Sequence, residues 1–186
     1  MENFDIVLVG AGSAGCIVAN QIINSTNYKV LLIEAGPSDN NPIIQVPLGY
    51  GMTFYHKKMN WNFYSEIQKN LHNREIYYPR GKVLGGSGSI NAMIYARGLR
   101  SDFENWNLSK NWSWENIKTT YDQIEFAVNN KTKRLPSSKI PVNDISKQHH
   151  PILKNFFDAS NDFNFTFNKQ LKSSIENQVG NYNVNI

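Results

Sequence analysis

Apolar runs alternate sharply with glycine in the amino-terminal part of the chain. The apolar run 4–9 is followed at once by the glycine-rich stretch 10–15, and then by apolar residues at helical spacing up to Ile23. A second apolar run, 30–33, follows Lys29 and ends at Glu34. Short apolar runs predict buried strands, and apolar residues three or four apart predict a helix. This stretch therefore predicts a strand–turn–helix–strand unit.

Weaker patterns predict the elements that follow. Alternating side chains indicate half-exposed or half-buried strands, and the apolar stripe in 113–129 is typical of an amphipathic helix. Glycine, proline and asparagine in 35–42 predict a long loop, and the polar, basic stretch 129–141 predicts a surface excursion. The remaining predicted elements are an aromatic strand at 61–65, an extended piece at 76–78, helices at 90–95 and 152–159, and a strand at 181–186.

The glycines of 10–15 match G-x-G-x-x-G between a strand and a helix, the context in which this motif binds a dinucleotide. Gly10 allows a sharp turn, Gly12 lets the backbone approach a pyrophosphate, and Gly15 lets the helix lie close to the sheet. The helix N-terminus then attracts the anion. Glu34 follows Gly15 by 19 residues, the spacing expected of an acid that binds ribose hydroxyls. A carboxylate there repels a 2′-phosphate, so FAD or NAD is favoured over NADP.

A second glycine-rich stretch, 80–91, carries four glycines next to the apolar residues Val83, Leu84 and Ile90. Flexible linkers lack such apolar anchors. We interpret it as backbone that comes close to a flat ligand. The aromatic residues of 54–64 are interpreted as packing residues rather than as a stacking platform.

Composition narrows the classes of function. The chain has 186 residues, 40% of them hydrophobic, and a net charge of +4 from scattered basic residues. These values indicate a globular protein and give no reason to expect nucleic-acid binding. Cys16, the only cysteine, is expected to be a small buried residue. His149 and His150 point to different sides of any regular element, so no metal site is predicted. No secretory signal or membrane-spanning run is visible. A cytoplasmic location is expected, with peripheral membrane association left open.

The combined motifs resemble the N-terminal part of glucose–methanol–choline oxidoreductases, nearest to the choline dehydrogenase branch. The resemblance covers essentially the whole chain and is strongest from residue 4 to 106. The second glycine-rich stretch is its specific part, since many flavin and nicotinamide enzymes share the first. The residues that carry it are 5–15, 32–36, 60–63, 81–91, Tyr95, Arg97, Gly98, Asp102 and Phe103.

The resemblance implies an FAD-dependent oxidation of a small-molecule alcohol, with hydride passing to the flavin. It implies an α/β (α+β overall) fold: a Rossmann-like FAD-binding βαβ unit with additional loops, helices and short strands, incomplete at the C-terminus. Ile90 stands where some members bond a histidine to the flavin, so noncovalent FAD is expected. The implied cofactor-binding residues are Gly10, Gly12, Ser13, Ala14, Gly15, Glu34, Ala35, Val83, Gly86, Ser87, Asn91, Ala92, Met93 and Ile94.

Family members are much longer, and their proton-accepting histidine lies near the far C-terminus, beyond Ile186. The whole chain, 1–186, is therefore expected to be the N-terminal part of such an FAD-binding domain, and to be inactive alone. Within it, 1–36 would begin the dinucleotide-binding unit, 76–106 would carry the flavin-side motif, and 107–186 would begin the substrate-domain region. No catalytic residue can be named.

Two alternatives stay open. The first motif also suits an NAD-dependent dehydrogenase, although 85–91 would then have no role. The second alternative is a non-catalytic, truncated form of the FAD fold. The alcohol, the electron acceptor, the choice between dehydrogenase and oxidase, and the oligomeric state are left open.

Overall fold

The computed structural model describes residues 2–106, 108–128, 139–171 and 176–185. The chain forms two compact units, Met1–Ala92 and Met93–Ile186. The first unit holds both glycine-rich stretches, and the second holds most of the remaining strands. The helices and strands of the first unit are β1 (Ile6–Val9), α1 (Ser13–Ser25), β2 (Val30–Ile33), α2 (Pro42–Gln45), α3 (Tyr50–Thr53), β3 (Phe63–Tyr64) and β4 (Tyr77–Tyr78).

The first βαβ unit forms as predicted. β1 and β2 pair in parallel, with Ile6 opposite Val30 and Val9 opposite Ile33. A helix is the usual crossover between parallel strands, and α1 supplies it. The expected burial of both strands is wrong for one face: Val9 is 85% exposed and Val7 is also exposed, because in the described chain this sheet has two strands and α1 lies against one face.

The core of the first unit lies under the second glycine-rich stretch. Met59, Val83 and Ile90 are buried together, and Ile44 packs against them. Val83 and Ile90 thus anchor this stretch as expected from the sequence, whereas Leu84, the third expected anchor, is 40% exposed. Beside them, buried Asn60 donates to the carbonyl of Phe54 at 2.7 Å and accepts from the backbone N–H of Arg80 at 3.0 Å. A buried amide of this kind is stable only when its polar atoms are paired.

The second unit contains a four-stranded sheet in the order β5, β10, β7, β6 and a separate parallel pair, β8 and β9. β6 and β7 run parallel, while β10 is antiparallel to both its neighbours. Its elements are β5 (Ile94–Tyr95), α4 (Arg100–Asn105), α5 (Trp114–Ile124), β6 (Glu125–Val128), β7 (Ile140–Asp144), α6 (Leu153–Ser160), β8 (Thr166–Gln170), β9 (Gln178–Asn181) and β10 (Asn183–Val184).

Three predicted elements need correction. No helix forms at 90–95, because Met93 adopts a left-handed φ of 61°, which interrupts a helix. A 3₁₀ turn over Gly86–Ser89 precedes this range, and Ile94–Tyr95 form β5. The helix expected at 113–129 ends at Ile124, since the next four residues pair with β7. The excursion expected at 129–141 includes the start of β7 at Ile140; residues 129–138 lie outside the described part.

Smaller differences concern single residues and the last strand. Cys16 is exposed rather than buried. The strand expected at 181–186 is divided between β9 and β10, with Ile186 outside the described residues. The predicted helix at 152–159 is confirmed within one residue at each end. The predicted aromatic strand is found as β3, paired antiparallel with β4, where the rings of Tyr64 and Tyr77 lie 5.0 Å apart.

Candidate functional site: two glycine segments

The glycine turn, residues 10–15, leaves β1 sharply and leads into α1. Gly10 has a φ of 96°, and its N–H donates to the carbonyl of Ile33 at 2.7 Å. A Cβ on Gly15 would lie 2.0 Å from the Gly10 carbonyl oxygen, a distance no side chain tolerates. Glycine is therefore required at both positions, as the motif predicted.

The N-terminus of α1 is open to an anion. The helix has no side-chain cap and no acidic residue in its first turn. The first intrahelical bond is from the Cys16 N–H to the Gly12 carbonyl at 2.9 Å, so the N–H groups of Ser13, Ala14 and Gly15 have no acceptor within the helix. Ser13 and Ala14 are exposed and Gly12 is half-buried. This end of the helix can accept a phosphate group.

Glu34 lies at the mouth of the glycine turn. One carboxylate oxygen accepts from the Ala11 N–H at 2.8 Å, and the other accepts from the Gly36 N–H at 3.0 Å. A carboxylate has about four lone-pair sites, so each oxygen can still accept a hydroxyl. The expected juxtaposition of the acid and the turn is therefore present in the structure.

The second glycine segment, residues 81–91, packs directly against the glycine turn. The Gly85 N–H donates to the Ala11 carbonyl at 2.8 Å, and Gly12 and Gly85 form an isolated parallel bridge. Gly85 and Gly86 have φ values of 86° and 60°. A Cβ on Gly86 would lie 2.8 Å from the Cα of Gly12. The two motifs, more than 60 residues apart in sequence, thus form one backbone-lined site.

The other predicted residues of the first unit differ in their access to this site. Ala35, Ser87 and Asn91 are exposed, and Ala92 is half-buried. The Ser87 hydroxyl accepts from the Gly81 N–H at 3.0 Å. Val83 is 0% exposed and packs with Met59 and Ile90, so its contact with a cofactor stays a prediction from the family resemblance.

Met93 and Ile94, also predicted to lie along a flavin, belong to the second unit. The Met93 carbonyl accepts from the Asn185 N–H at 3.0 Å. Ile94 begins β5 and its side chain is exposed. Both residues stay predictions from the family resemblance.

A charged cluster in the second unit, formed by Tyr95, Arg97, Asp122 and Glu125, was not predicted as a site. Arg97 donates to both carboxylate oxygens of Glu125, at 2.8 and 2.5 Å, and to Asp122 at 2.7 Å. The Tyr95 hydroxyl donates to Glu125. The Arg97 and Glu125 side chains are 22% and 15% exposed. Glu125 comes near Tyr95 and Arg97, which lie 30 and 28 positions earlier in the chain, because β6 pairs into the sheet. Sequence periodicity does not predict a contact between residues so far apart.

These contacts shift the ionisation of the cluster. Burial, followed by the hydrogen bond to Glu125, raises the pKa of Tyr95 well above 10.0. The hydrogen bonds to Glu125 raise the pKa of Arg97, and the hydrogen bond from Arg97 lowers the pKa of Asp122. At neutral pH Arg97 therefore stays a cation, Asp122 stays a carboxylate and Tyr95 stays a neutral phenol.

Tyr95, Arg97 and Glu125 of the charged cluster line part of a cleft of about 950 Å³. Backbone and side chains from β5, α5, β9 and β10 form its walls, with Trp114, Asn177 and Tyr182 among the contributors. All of its lining residues belong to the second unit.

Histidines do not form a metal centre in the described ranges. The His150 Nδ1 accepts from the Ile152 N–H at 3.2 Å, and the His149 ring packs edge-on against Phe157. Across residues 2–106, 108–128, 139–171 and 176–185, no group of three metal-binding side chains is found. The helices within these ranges are too short or too polar to cross a bilayer.

Comparison with known proteins places the geometry in a family. The family model described as GMC oxidoreductase matches residues 4–185, which is nearly the whole chain. The chain belongs to the GMC oxidoreductase family. The glycine turn and the second glycine segment are therefore parts of a GMC oxidoreductase fold.

Individual GMC relatives are much longer than this chain. An alcohol dehydrogenase (acceptor) of Pseudomonas putida is 36% identical over 185 residues, covering 97% of this chain and 33% of the relative. An oxygen-dependent choline dehydrogenase of Vibrio vulnificus is 41% identical over 116 residues, covering 61% of this chain and 21% of the relative. The crystal structure of pyridoxine 4-oxidase from Mesorbium loti superposes with a TM-score of 0.86 at 27% identity, covering 99% of this chain and 37% of that protein. The chain thus spans about a third of the length of these GMC proteins.

Proposed function

We propose that this chain is the FAD-binding N-terminal portion of an oxidoreductase that acts on the CH–OH group of a small-molecule alcohol. Membership of the GMC family supports the class of reaction. The observation that carries the cofactor assignment is the 2.8 Å hydrogen bond from the Ala11 N–H to Glu34, because it brings the acid to the mouth of an open glycine turn. The alcohol itself and the electron acceptor are left open.

The residues present fit an adenine dinucleotide. A Cβ built on Gly12 meets nothing closer than the Gly86 Cα at 3.8 Å, so space for a ligand oxygen lies beside the Gly12 backbone. Gly10, Gly12, Ser13, Ala14 and Gly15 would hold the pyrophosphate through N–H groups and the helix dipole. Glu34 and Ala35 would hold the adenosine ribose.

The second glycine segment would line the flavin side. The family resemblance assigns this role to Ser87, Asn91 and Ala92, and to Met93 and Ile94 in the second unit. It gives Val83 and Gly86 as further cofactor-binding residues. When bound, FAD supplies a ring system that accepts a hydride from an alcohol carbon. The residues of this chain bind and orient it, and the proton acceptor of the reaction is not among them.

We propose that FAD is held without a covalent bond. Ile90, at the position of the flavin-linked histidine in some family members, is 3% exposed and packs in the Met59–Val83 core. A hydrocarbon side chain offers no nucleophile. Precipitation of the FAD-loaded chain with acid should leave all flavin absorbance in the supernatant; absorbance in the washed pellet would contradict noncovalent binding.

The substitution Gly12→Ala tests the cofactor site. Because Gly12 has an extended φ of −77° and its Cβ would make ordinary contacts, the ligand-free variant should melt within about 1 °C of the parent chain. The added methyl group would occupy the approach of the pyrophosphate, and FAD affinity should fall at least about tenfold. Gly51→Ala, with nothing within 4 Å, is the matched control and should bind FAD normally. Unchanged affinity in Gly12→Ala would overturn the assignment.

Titration of the same chain with NADH tests the nicotinamide alternative. FAD should quench protein fluorescence saturably, and NADH should compete poorly with it. Tighter binding of NADH than of FAD would favour an NAD-dependent dehydrogenase. Binding of neither by the folded chain would favour the non-catalytic alternative.

A further inference from the structure

We propose that Gly86 is a positioning residue: its Cα packs on Gly12 and holds the glycine turn in shape, without itself contacting the cofactor. This inference rests on the proposed function for its consequence, loss of FAD affinity. The packing itself belongs to the ligand-free protein. It reassigns Gly86 from a cofactor contact to a support behind the contact residues.

The first step is the asymmetry between the two glycines. A Cβ on Gly12 would make an ordinary 3.8 Å contact, whereas a Cβ on Gly86 would lie 2.8 Å from the Gly12 Cα and 3.7 Å from the Gly12 nitrogen. Gly86 also has a φ of 60°, which L-residues with a side chain rarely adopt. Gly12 therefore has room for a ligand, and Gly86 has none.

Gly86 also has no room to move away from the glycine turn, residues 10–15. Gly81 packs behind it so closely that a Cβ on Gly81 would lie 2.2 Å from the Gly86 carbonyl carbon. The Gly86 N–H donates to the Val83 carbonyl at 2.8 Å, and the Val83 side chain is fully buried. Any atom added to Gly86 must consequently be accommodated by movement of Gly12.

The third step is that the turn is braced on its other side as well. The Ala11 carbonyl accepts from Gly85 at 2.8 Å, and the Ala11 N–H donates to Glu34 at 2.8 Å. Both polar groups of Ala11 are thus tied to segments that are distant in sequence. A shift at Gly12 changes the direction of the N–H groups that follow, and hydrogen bonds to an anion weaken steeply when misaligned.

Gly86→Ala, with Gly51→Ala as matched control, tests the inference in the full 186-residue chain. Gly51 lies in α3 of the same unit, and a Cβ there would meet nothing within 4 Å. FAD affinity should fall at least about tenfold in Gly86→Ala and at most about twofold in Gly51→Ala. The ³¹P NMR shifts of the bound pyrophosphate, measured at saturating FAD, should move in Gly86→Ala and not in the control.

The ligand-free chain separates this inference from the proposed function. In Gly86→Ala the backbone amide NMR signals of Ala11 and Gly12 should shift, and in Gly51→Ala the change should be confined to the neighbours of Gly51 in α3. If the parent chain does not bind FAD, the proposed function fails while these shifts still decide the positioning role. Unmoved Ala11 and Gly12 signals, or parent-like FAD affinity and ³¹P shifts in Gly86→Ala, would overturn the inference.

A milder variant covers the case in which Gly86→Ala does not fold. The Ser89 hydroxyl donates to the Leu84 carbonyl at 2.8 Å and lies against Gly85, so Ser89→Ala loosens the segment without adding an atom. Its FAD affinity should fall about threefold, with smaller ³¹P shifts in the same direction as those of Gly86→Ala. Parent-like values for both quantities in Ser89→Ala would count against the positioning role.

Discussion

The glycine turn of the first unit and the charged cluster of the second are held by opposite means. The turn is fixed mainly by backbone contacts that exist because Gly15, Gly81 and Gly86 carry no side chain, with a further hydrogen bond from the Ala11 N–H to Glu34. The cluster is fixed by long side chains, with Arg97 bridging Glu125 and Asp122. Backbone packing involves no titrating group and little mobile charge, whereas ion pairs depend on pH and salt. The two units should therefore respond differently to substitution and to solution conditions.

Substitution of Arg97 by alanine should have the largest effect. It leaves the Glu125 carboxylate, 15% exposed, without its bidentate partner, and removing one partner of a buried pair costs about 3 kcal/mol. Urea unfolding followed by circular dichroism measures the loss. Arg97→Lys should recover only part of it, because an ammonium cannot donate in the same planar fork. Full recovery with lysine would mean that charge alone holds the cluster.

Substitution of Gly36 by alanine tests backbone packing in the first unit. Its Cβ would lie 1.9 Å from the Lys82 carbonyl oxygen, so the chain must shift, at a cost of about 2 kcal/mol. Gly51→Ala is the control, because it adds a methyl group in open space within α3 and should be neutral or slightly stabilising. The Gly36→Ala loss, measured by urea unfolding, should be the same in 0.05 and 1 M NaCl. A salt-dependent loss would break the contrast between the two regions.

Replacement of Tyr95 by phenylalanine should cost about 1 kcal/mol at pH 7, the net value of a hydrogen bond to a partly buried carboxylate. Because the folded-state pKa of Tyr95 is raised above 10.0, its contribution is complete below pH 10 and is lost as pH rises further. Thermal unfolding between pH 7 and 11 should show the parent chain and Tyr95→Phe converging above pH 10. Parallel curves over this range would show that Tyr95 does not titrate with unfolding.

The smallest effect is expected for Asp122→Asn. Asp122 is exposed, so its pair with Arg97 is screened by water and salt. Its lowered pKa means that the contribution is present above pH 3.8 and disappears as pH falls through the lower folded-state value. The melting temperature should decrease slightly in 0.05 M NaCl and match the parent chain in 1 M NaCl. A decrease that persists in 1 M NaCl would indicate a structural role for the side chain.

The first βαβ unit was predictable from the sequence because its determinants are local, and the family was predictable because the second glycine-rich stretch is a local motif as well. Gly10, Gly15 and Glu34 act within one continuous stretch, where strand, turn and helix signals reinforce one another. The predicted helix at 113–129 failed for the opposite reason. Residues 125–128 have an apolar pattern that suits a helix or a strand, and pairing with β7 decided the outcome.

The sequence by itself determined the chemistry of the site: a glycine turn, an acid at the end of the second strand and a second glycine segment without a histidine at position 90. Only the tertiary structure decided that Gly86 packs on Gly12, that Glu34 is hydrogen-bonded to Ala11, and that Arg97 reaches Glu125. Those contacts join residues between 23 and 74 positions apart. A local pattern carries no information about which distant backbone fills the space left by a missing side chain, since that depends on the packing of the whole unit.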